Sequence, residues 1–339
     1  MGDVSGKLDF WEFTVPYHQA DRLASVFPGG WTGRTKAGGE VRGFRGYTHS
    51  AELAIGSGLV GWCPDRHEMG IHCSLGGEAL QLLAGQDGAW RDLPGMVGFV
   101  HDELGGKTRR LDVAFDDQVG ILDLDTVGRA LDERLFTARW RDYEYYRSRK
   151  RGVVGETYRL GSGRSDTLLR VYDKRAERLQ KGFEDQVEGV SHWIRVELQL
   201  RRDWAFAAAE KVKTRGRGVW VHLRGVLAGM VEFKERGLDS NRARWPVAPW
   251  WARFLGAVSK AYLVVPEKVK TLQEKQAIFE LQNGPSMAVF VEALGFDGAW
   301  GFLYGVAERG GSRMGARHDL VVDNYRKRLE QQAAGIVSG

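Results

Sequence analysis

The 339-residue chain holds only two cysteines, Cys63 and Cys73. Two thiols in a chain of this length make no disulfide framework, so a reducing compartment is expected. They are not spaced as a CxxC pair, which argues against a thiolate zinc site. The N-terminus lacks an apolar signal core, and no uninterrupted apolar run reaches about 18 residues. A cytoplasmic protein without a membrane partner is expected. No G-x-x-x-x-G-K-[ST] loop occurs, so no nucleotide cofactor is expected. There is no G-x-S-x-G elbow and no H-E-x-x-H, and the eight histidines are scattered. "GSGRSD" (161–166) falls in an expected hairpin rather than at a helix start, so it is no dinucleotide fingerprint. Neither internal repeats nor low-complexity tracts are present.

What remains is a chain that can build a sizeable core, with 43% hydrophobic and 27% charged residues. Net charge is +5, a mild excess that favours an anionic partner. The positive charge is concentrated. "RWRDYEYYRSRKRG" (139–152) carries Arg139, Trp140, Tyr145, Tyr146, Arg147, Arg149, Lys150 and Arg151. "EKVKTRGRGVW" (210–220) adds Lys213 and Arg215. Cations for phosphates and rings for bases suit a nucleic-acid strand. A solvated basic loop is the alternative for either segment.

Apolar alternation marks "KLDFWEFTVP" (7–16), "EMGIHCSLGG" (68–77) and "KTRRLDVAFDD" (107–117) as strands. "EVRGFRGYTHSAELA" (40–54) reads as a pair of edge strands. "GETYRLGSGRSDTLLRVYDK" (155–174) reads as two strands about a Gly-Ser-Gly turn. "SHWIRVELQLRRDWAFAAAEKV" (191–212) starts as a strand and turns helical at its alanines. Helices are expected at 18–27, 78–85, 122–136 behind an aspartate cap, and 176–182. This order suits an α+β fold with helices packed on a mostly antiparallel sheet. "DSNRARWPVAPWWARFL" (239–255) is a joint, serving either as a core cluster between domains or as an interface. Mainly helical patterns follow it. The expected division is 1–237, a helical region 238–330, and a disordered tail 331–339.

Three expected strands each place charged or reactive side chains two apart, hence on one face. "RLDVAFDD" presents Asp112 and Asp116. "LRVYDK" presents Arg170, Tyr172 and Lys174. "WIRVELQL" presents Arg195, Glu197 and Gln199. The wet face of an amphipathic sheet would also alternate in this way. If the strands are neighbours, however, the set is chemically complete. Asp112, Asp116 and Glu197 could hold a hard divalent cation. Tyr172 could attack phosphorus, eased by the Lys174 ammonium, with Arg170 and Arg195 gripping phosphates. His72 shares a face with Ser74 and reads either as a structural histidine or as one more metal ligand.

At these strands the chain resembles the Rep_trans-type replication initiation factors, which include rolling-circle initiators and relaxases. The likeness runs over 8–251 through "LDFWEFTV", "MGIHCSLGGEAL", "RRLDVAFDD", "YRLGSGRSDTLLRVYDKRAER", "HWIRVELQLRRDWA" and "DSNRARWPVAPWW". It implies an HUH-like antiparallel sheet with packed helices, here followed by a mainly helical C-terminal part. It implies a sequence-specific, single-strand DNA endonuclease and strand transferase that forms a covalent 5′-phosphotyrosine, with Mg2+ or Mn2+ as cofactor. By its place in "RVYDK", Tyr172 matches the nicking tyrosine, and Asp112, Asp116 and Glu197 lie in the strands that build the metal site. The wider HUH group uses an H-x-H metal pair, which this chain lacks, so the ligand set departs from that pattern, and His72 is a candidate for one further ligand. Origin DNA is the implied partner, with a host helicase and a second copy of the chain as further ones. A plasmid or phage initiator and a conjugative relaxase fit equally. Two other readings stand: an origin-binding regulator without catalysis, and a metal-dependent nuclease that uses water.

Overall fold

A computed structural model describes residues 4–27, 29–33, 42–54, 57–84, 92–256, 258–263, 265 and 272–333. The chain divides into two compact units, Met1–Val265 and Pro266–Gly339. In the first, β1 (Ser5–Val15) leads through α1 (Ala20–Ser25) to β2 (Trp31–Gly33), β3 (His49–Leu53), β4 (Gly58–Trp62) and β5 (Ile71–Gly76). Next come α2 (Gly77–Ala84), α3 (Leu93–Gly98), β6 (Lys107–Asp117), α4 (Leu124–Asp132), β7 (Phe136–Ala138), β8 (Tyr143–Lys150), β9 (Val153–Leu160), β10 (Thr167–Asp173) and α5 (Lys174–Lys181). β11 (Ile194–Arg201), α6 (Arg202–Lys213), α7 (Val219–Met230), β12 (Val231–Phe233) and α8 (Pro249–Leu255) complete the unit. Ten strands form one antiparallel sheet in the order β2-β3-β4-β5-β1-β6-β11-β10-β9-β8. β7 and β12 pair in a separate ribbon. This is the α+β architecture expected from the sequence.

Alternation explains the sheet's two faces. Leu111, Val113 and Phe115 of β6, Val196, Leu198 and Leu200 of β11, and Leu169 and Val171 of β10 are buried on one side. α6 packs against β6 and β11 on that side, and α3 packs on α6. The other side of the same strands carries the charged residues. Two helix starts are set by aspartate caps. Asp123 accepts from the Thr126 amide at 2.9 Å to open α4, and Asp173 accepts from the Ala176 amide at 2.8 Å to open α5. The second cap starts α5 directly after Tyr172, and Gly182, with φ of 82°, ends it.

Two expectations need correction. Residues 139–152 are not a loop: most of them form β8, which returns into β9 through Arg151 and Gly152 at φ of 52° and 77°. Two left-handed residues make a tight hairpin turn of the hand that antiparallel strands favour. The Trp-rich joint belongs to the core of the first unit, which runs to Val265. Trp251 and Phe254 are fully buried there, with ring centroids 5.1 Å apart. Of the two edge strands expected in 40–54, β3 is present, between β2 and β4; residues 40 and 41 lie outside the described residues. Helices α3 and α7 had no counterpart in the sequence reading.

The second unit comprises α9 (Leu272–Gly311), bent at Gly295 where φ is 70°, and α10 (Ala316–Ala333). By length and composition alone α9 is apolar enough to cross a membrane, although Glu292 and Asp297 interrupt its apolar run. Of the expected tail, residues 331–333 end α10, and 334–339 lie outside the described residues.

Candidate active site

Residues paired across antiparallel strands share a face, so the register writes out the polar face as rows. One row runs Tyr146, Thr157, Tyr172, Arg195, Asp116 from β8 to β6. The next runs Glu144, Arg159, Arg170, Glu197, Ala114 and reaches Lys7 of β1. A third holds Gln199, Asp112 and Phe10. The three reactive strands are therefore direct neighbours, β6-β11-β10. Their side chains floor a trough of about 1330 Å³. α2 and α5 contribute to its walls, and Tyr146 and Trp220 also line it.

Arg195 is the anchor of this face. Its fully buried guanidinium donates to both oxygens of Asp116, at 2.6 and 2.8 Å, and to Asp9. Burial alone would favour loss of its proton, but Asp116, then Tyr172, keep it firmly charged. Lys7 lies 3.0 Å from Asp116. Arg110 grips Asp112 through two bonds of 2.9 and 2.6 Å, and Gln199 donates to the same carboxylate at 2.9 Å. Arg170 donates to Glu197 and lies 3.8 Å from Asp112.

Tyr172 donates its hydroxyl proton to Glu197 Oε2 at 3.1 Å. Burial, then the Glu197 charge, push the phenol's pKa well above its usual value. Glu197 is itself raised by burial, with Arg170 opposing. Lys174 sits 5.7 Å from the Tyr172 ring and bonds Glu177 at 2.8 Å. Burial, then the neighbouring Arg195, lower the Lys174 pKa to about 8. Burial would raise Glu177, but Lys174 and Lys181 outweigh it and bring that carboxyl to about 2. A phenol on a carboxylate, flanked by three cations, can deliver a nucleophile to a phosphate.

Asp9 was not expected here. It sits at a register shift of β1, between Leu8 and Phe10, which turns it toward Arg195. A bulge cannot be read from alternation, so no sequence signal pointed to it. Tyr158 pairs with Val171 and Tyr145, on the face opposite Glu197, with its hydroxyl against Gly128 of α4. It is no rival to Tyr172. Among the residues considered for strand binding, Tyr145 and Tyr146 are exposed, as are Arg147, Arg149 and Lys150 on the edge strand and Arg151 in its turn. Trp140 is a correction: its indole is buried and donates to the Thr167 carbonyl at 3.0 Å, so it offers no free face. Lys213 is tied to Asp102 and Glu210 at 2.6 and 3.1 Å, Arg139 stacks on Trp204, and Arg215 is exposed.

The carboxylates do not form a cage as they stand. Among the described residues, no three His, Cys, Asp or Glu side chains are grouped so that they could hold a metal ion. Asp112 and Asp116 have both oxygens on arginines, and Glu197 is shared by Arg170 and Tyr172. His72 is apart from them on β5. Its Nδ1 is 3.3 Å from Thr14 Oγ1, its ring stacks on Tyr47, and burial, then Arg45, lower its pKa to about 4. The donor chemistry suits a hard cation, but the arrangement does not.

A polar sheet face with a tyrosine beside a carboxylate and arginines has the groups to meet an anionic partner. Residues 106–300 match the family model described as Rep_trans, replication initiation factor, and the chain belongs to this family. Among solved structures, the chain is similar to the rolling circle replication initiator protein from Geobacillus stearothermophilus. The two share 21% identity at a TM-score of 0.63, over 78% of this chain and 100% of that one. That likeness is one of fold. No curated protein matches the chain.

Proposed function

We propose that the protein nicks and rejoins single-stranded origin DNA, with Tyr172 as nucleophile, to initiate rolling-circle replication. The observation that carries this reading is the Tyr172–Glu197 hydrogen bond at the centre of the cationic trough. Tyr172 Oη attacks phosphorus as Glu197 takes its proton. The bond from phosphorus to the 3′ oxygen breaks, and that oxygen leaves as a hydroxyl once protonated. Lys174, 5.7 Å from the Tyr172 ring, is the group assigned to supply charge or a proton there. Arg170 faces the developing negative charge directly, while Arg195 acts from beneath and holds Asp116 and Asp9 in place. The 5′-phosphotyrosine keeps the phosphodiester's bond energy. A 3′ hydroxyl therefore reverses the step without ATP, and Tyr172 regains its proton.

On β8, Tyr146 shares the trough's face with Lys150 and extends the site as a stacking and phosphate-binding edge, while Tyr145, Arg147 and Arg149 project from the other face of the same strand. On this reading the protein works in the cytoplasm on its replicon's origin, and a host helicase and a second copy of the chain are the partners to seek. The test is covalent trapping. Labelled single-stranded origin DNA, incubated with Mg2+ or Mn2+, should give a protein adduct on a denaturing gel that is lost in Tyr172→Phe and with a chelator. Cleavage without an adduct would mean a water-using nuclease. Binding without cleavage would mean a regulator.

A further inference from the structure

On the nicking reading, the strand must be held beside the bond that Tyr172 breaks as well as at it. One row of the polar face has a charge order suited to that task. Across β8, β9, β10 and β11 it runs Glu144, Arg159, Arg170, Glu197. The carboxylates stand outside and the two guanidinium groups meet in the middle. Like charges directly opposite on an antiparallel pair repel, and alternating signs would avoid that cost. Arg159 and Arg170 both line the trough. The Arg159 side chain is 27% exposed and its partner Glu144 51% exposed, so water and salt weaken that pair. Arg170 is 34% exposed and bonded to Glu197. The Nε of each arginine is buried without a hydrogen bond, so neither guanidinium has all its donors in use. Arg195, by contrast, is fully buried, and Arg110 holds Asp112 through two bonds.

We propose that Arg159 and Arg170 clamp the phosphodiester next to the one that Tyr172 attacks, with the adjoining base on Tyr146. A phosphate accepts strong, charge-assisted bonds from a guanidinium, and one phosphate between two of them removes their repulsion. Arg170 is two residues from Tyr172 on β10 and shares its face, about 6.6 Å along the strand. It therefore lies between the attacked phosphate and its neighbour. Arg159, one strand further out, serves the neighbour alone. Its guanidinium also lies 4.9 Å over the Tyr146 ring. That tyrosine is 45% exposed, so the ring's other face is open for a base to stack on. Glu144 accepts from both Arg159 and the Tyr146 hydroxyl. In the free protein it occupies the clamp, and a strand phosphate takes its place. Arg159 is thus a positioning residue: it sets which phosphate reaches Tyr172 without touching the reacting atoms.

The experiment measures binding of a short fluorescent oligothymidylate by anisotropy over a range of salt, using the full chain in a Tyr172→Phe background that cannot cleave. Arg159→Gln should bind roughly tenfold more weakly. It should also flatten the slope of log affinity against log salt by about 0.7, the value of one phosphate contact on a single strand. Arg159→Lys should recover the slope but only part of the affinity, because an ammonium makes no parallel pair of bonds. Glu144→Gln should tighten binding by freeing Arg159, whereas an arginine that served only to pair Glu144 would gain nothing. The losses from Arg159→Gln and Arg170→Gln together should be smaller than their sum, since the two share one phosphate. Unchanged affinity or salt slope in Arg159→Gln, Glu144→Gln binding no more tightly than the parent, or full additivity would each overturn the proposal. If Arg159→Gln does not fold, Arg159→Lys with the parent's full affinity would overturn it instead. Trapping assays on the wild-type chain keep the two readings apart. An adduct alongside undiminished strand binding by Arg159→Gln defeats only this inference. A working clamp with no adduct defeats the nicking reading and leaves a strand-binding protein.

Discussion

Replacing Glu197 by glutamine tests the centre of the mechanism with the least disturbance of shape. The hydrogen bond from Tyr172 is 3.1 Å long, and glutamine can still accept it but cannot take the proton. A tyrosine with a pKa of about 10 is ionised to about one part in a thousand at pH 7. Three decades at 1.36 kcal/mol each make about 4 kcal/mol that a concerted proton acceptor removes from the barrier. Tyr172 is pushed above its usual pKa, so this is a lower bound, and it lies within the range of about 10²–10⁴-fold expected of a general base. Single-turnover adduct formation in Glu197→Gln should therefore be roughly 10³-fold slower. Strand binding, read by fluorescence anisotropy, should change little. The variant's rate should climb with pH as solvent hydroxide takes over the deprotonation, while the wild-type rate is flatter. Arg170 keeps access to water, so the melting temperature should shift by only a few degrees. A variant within tenfold of wild type at pH 7 would refute the assignment of Glu197 as proton acceptor.

Lys174, with a pKa lowered to about 8, carries its charge below that pH. Adduct formation should fall as pH rises through about 8, and Lys174→Arg should remove that fall. Tyr146→Ala should weaken strand binding by about 1–3 kcal/mol, measured by anisotropy, whereas Tyr145→Ala, on the opposite face of β8, should leave it unchanged. Trp140→Ala should instead cost about 3–5 kcal/mol in denaturant unfolding because the indole is buried and bonded. His72 has a folded pKa of about 4 against an ordinary 6.5. The unfolded chain therefore binds the extra proton first, and stability should drop as pH falls from about 6.5 to about 4, by about 3 kcal/mol. His72→Phe should flatten that part of the stability profile.

Strict alternation made much of this protein readable from its sequence. β6, β10 and β11 each separate a buried apolar face from a charged one, so the chain alone specified Tyr172, Glu197, Asp112 and their arginines as residues of one kind of surface. Asp123 announced its helix by the hydrogen bond a short carboxylate makes to a free amide, whereas the Asp173 cap of α5 was seen only in the structure. The edge strand β8 was not readable, because a strand wet on both sides has no apolar period and its charges imitate a loop. α3 and α7 have too few polar residues to show a helical stripe. Only the tertiary structure decided that β11 lies between β6 and β10, since sequence carries no direct record of which strands pair. That order sets Tyr172 on Glu197. The bulge that turns Asp9 inward and the arginine that claims each carboxylate also follow from neighbours brought together across the sheet, such as Arg195 and Asp9, 186 residues apart in the chain.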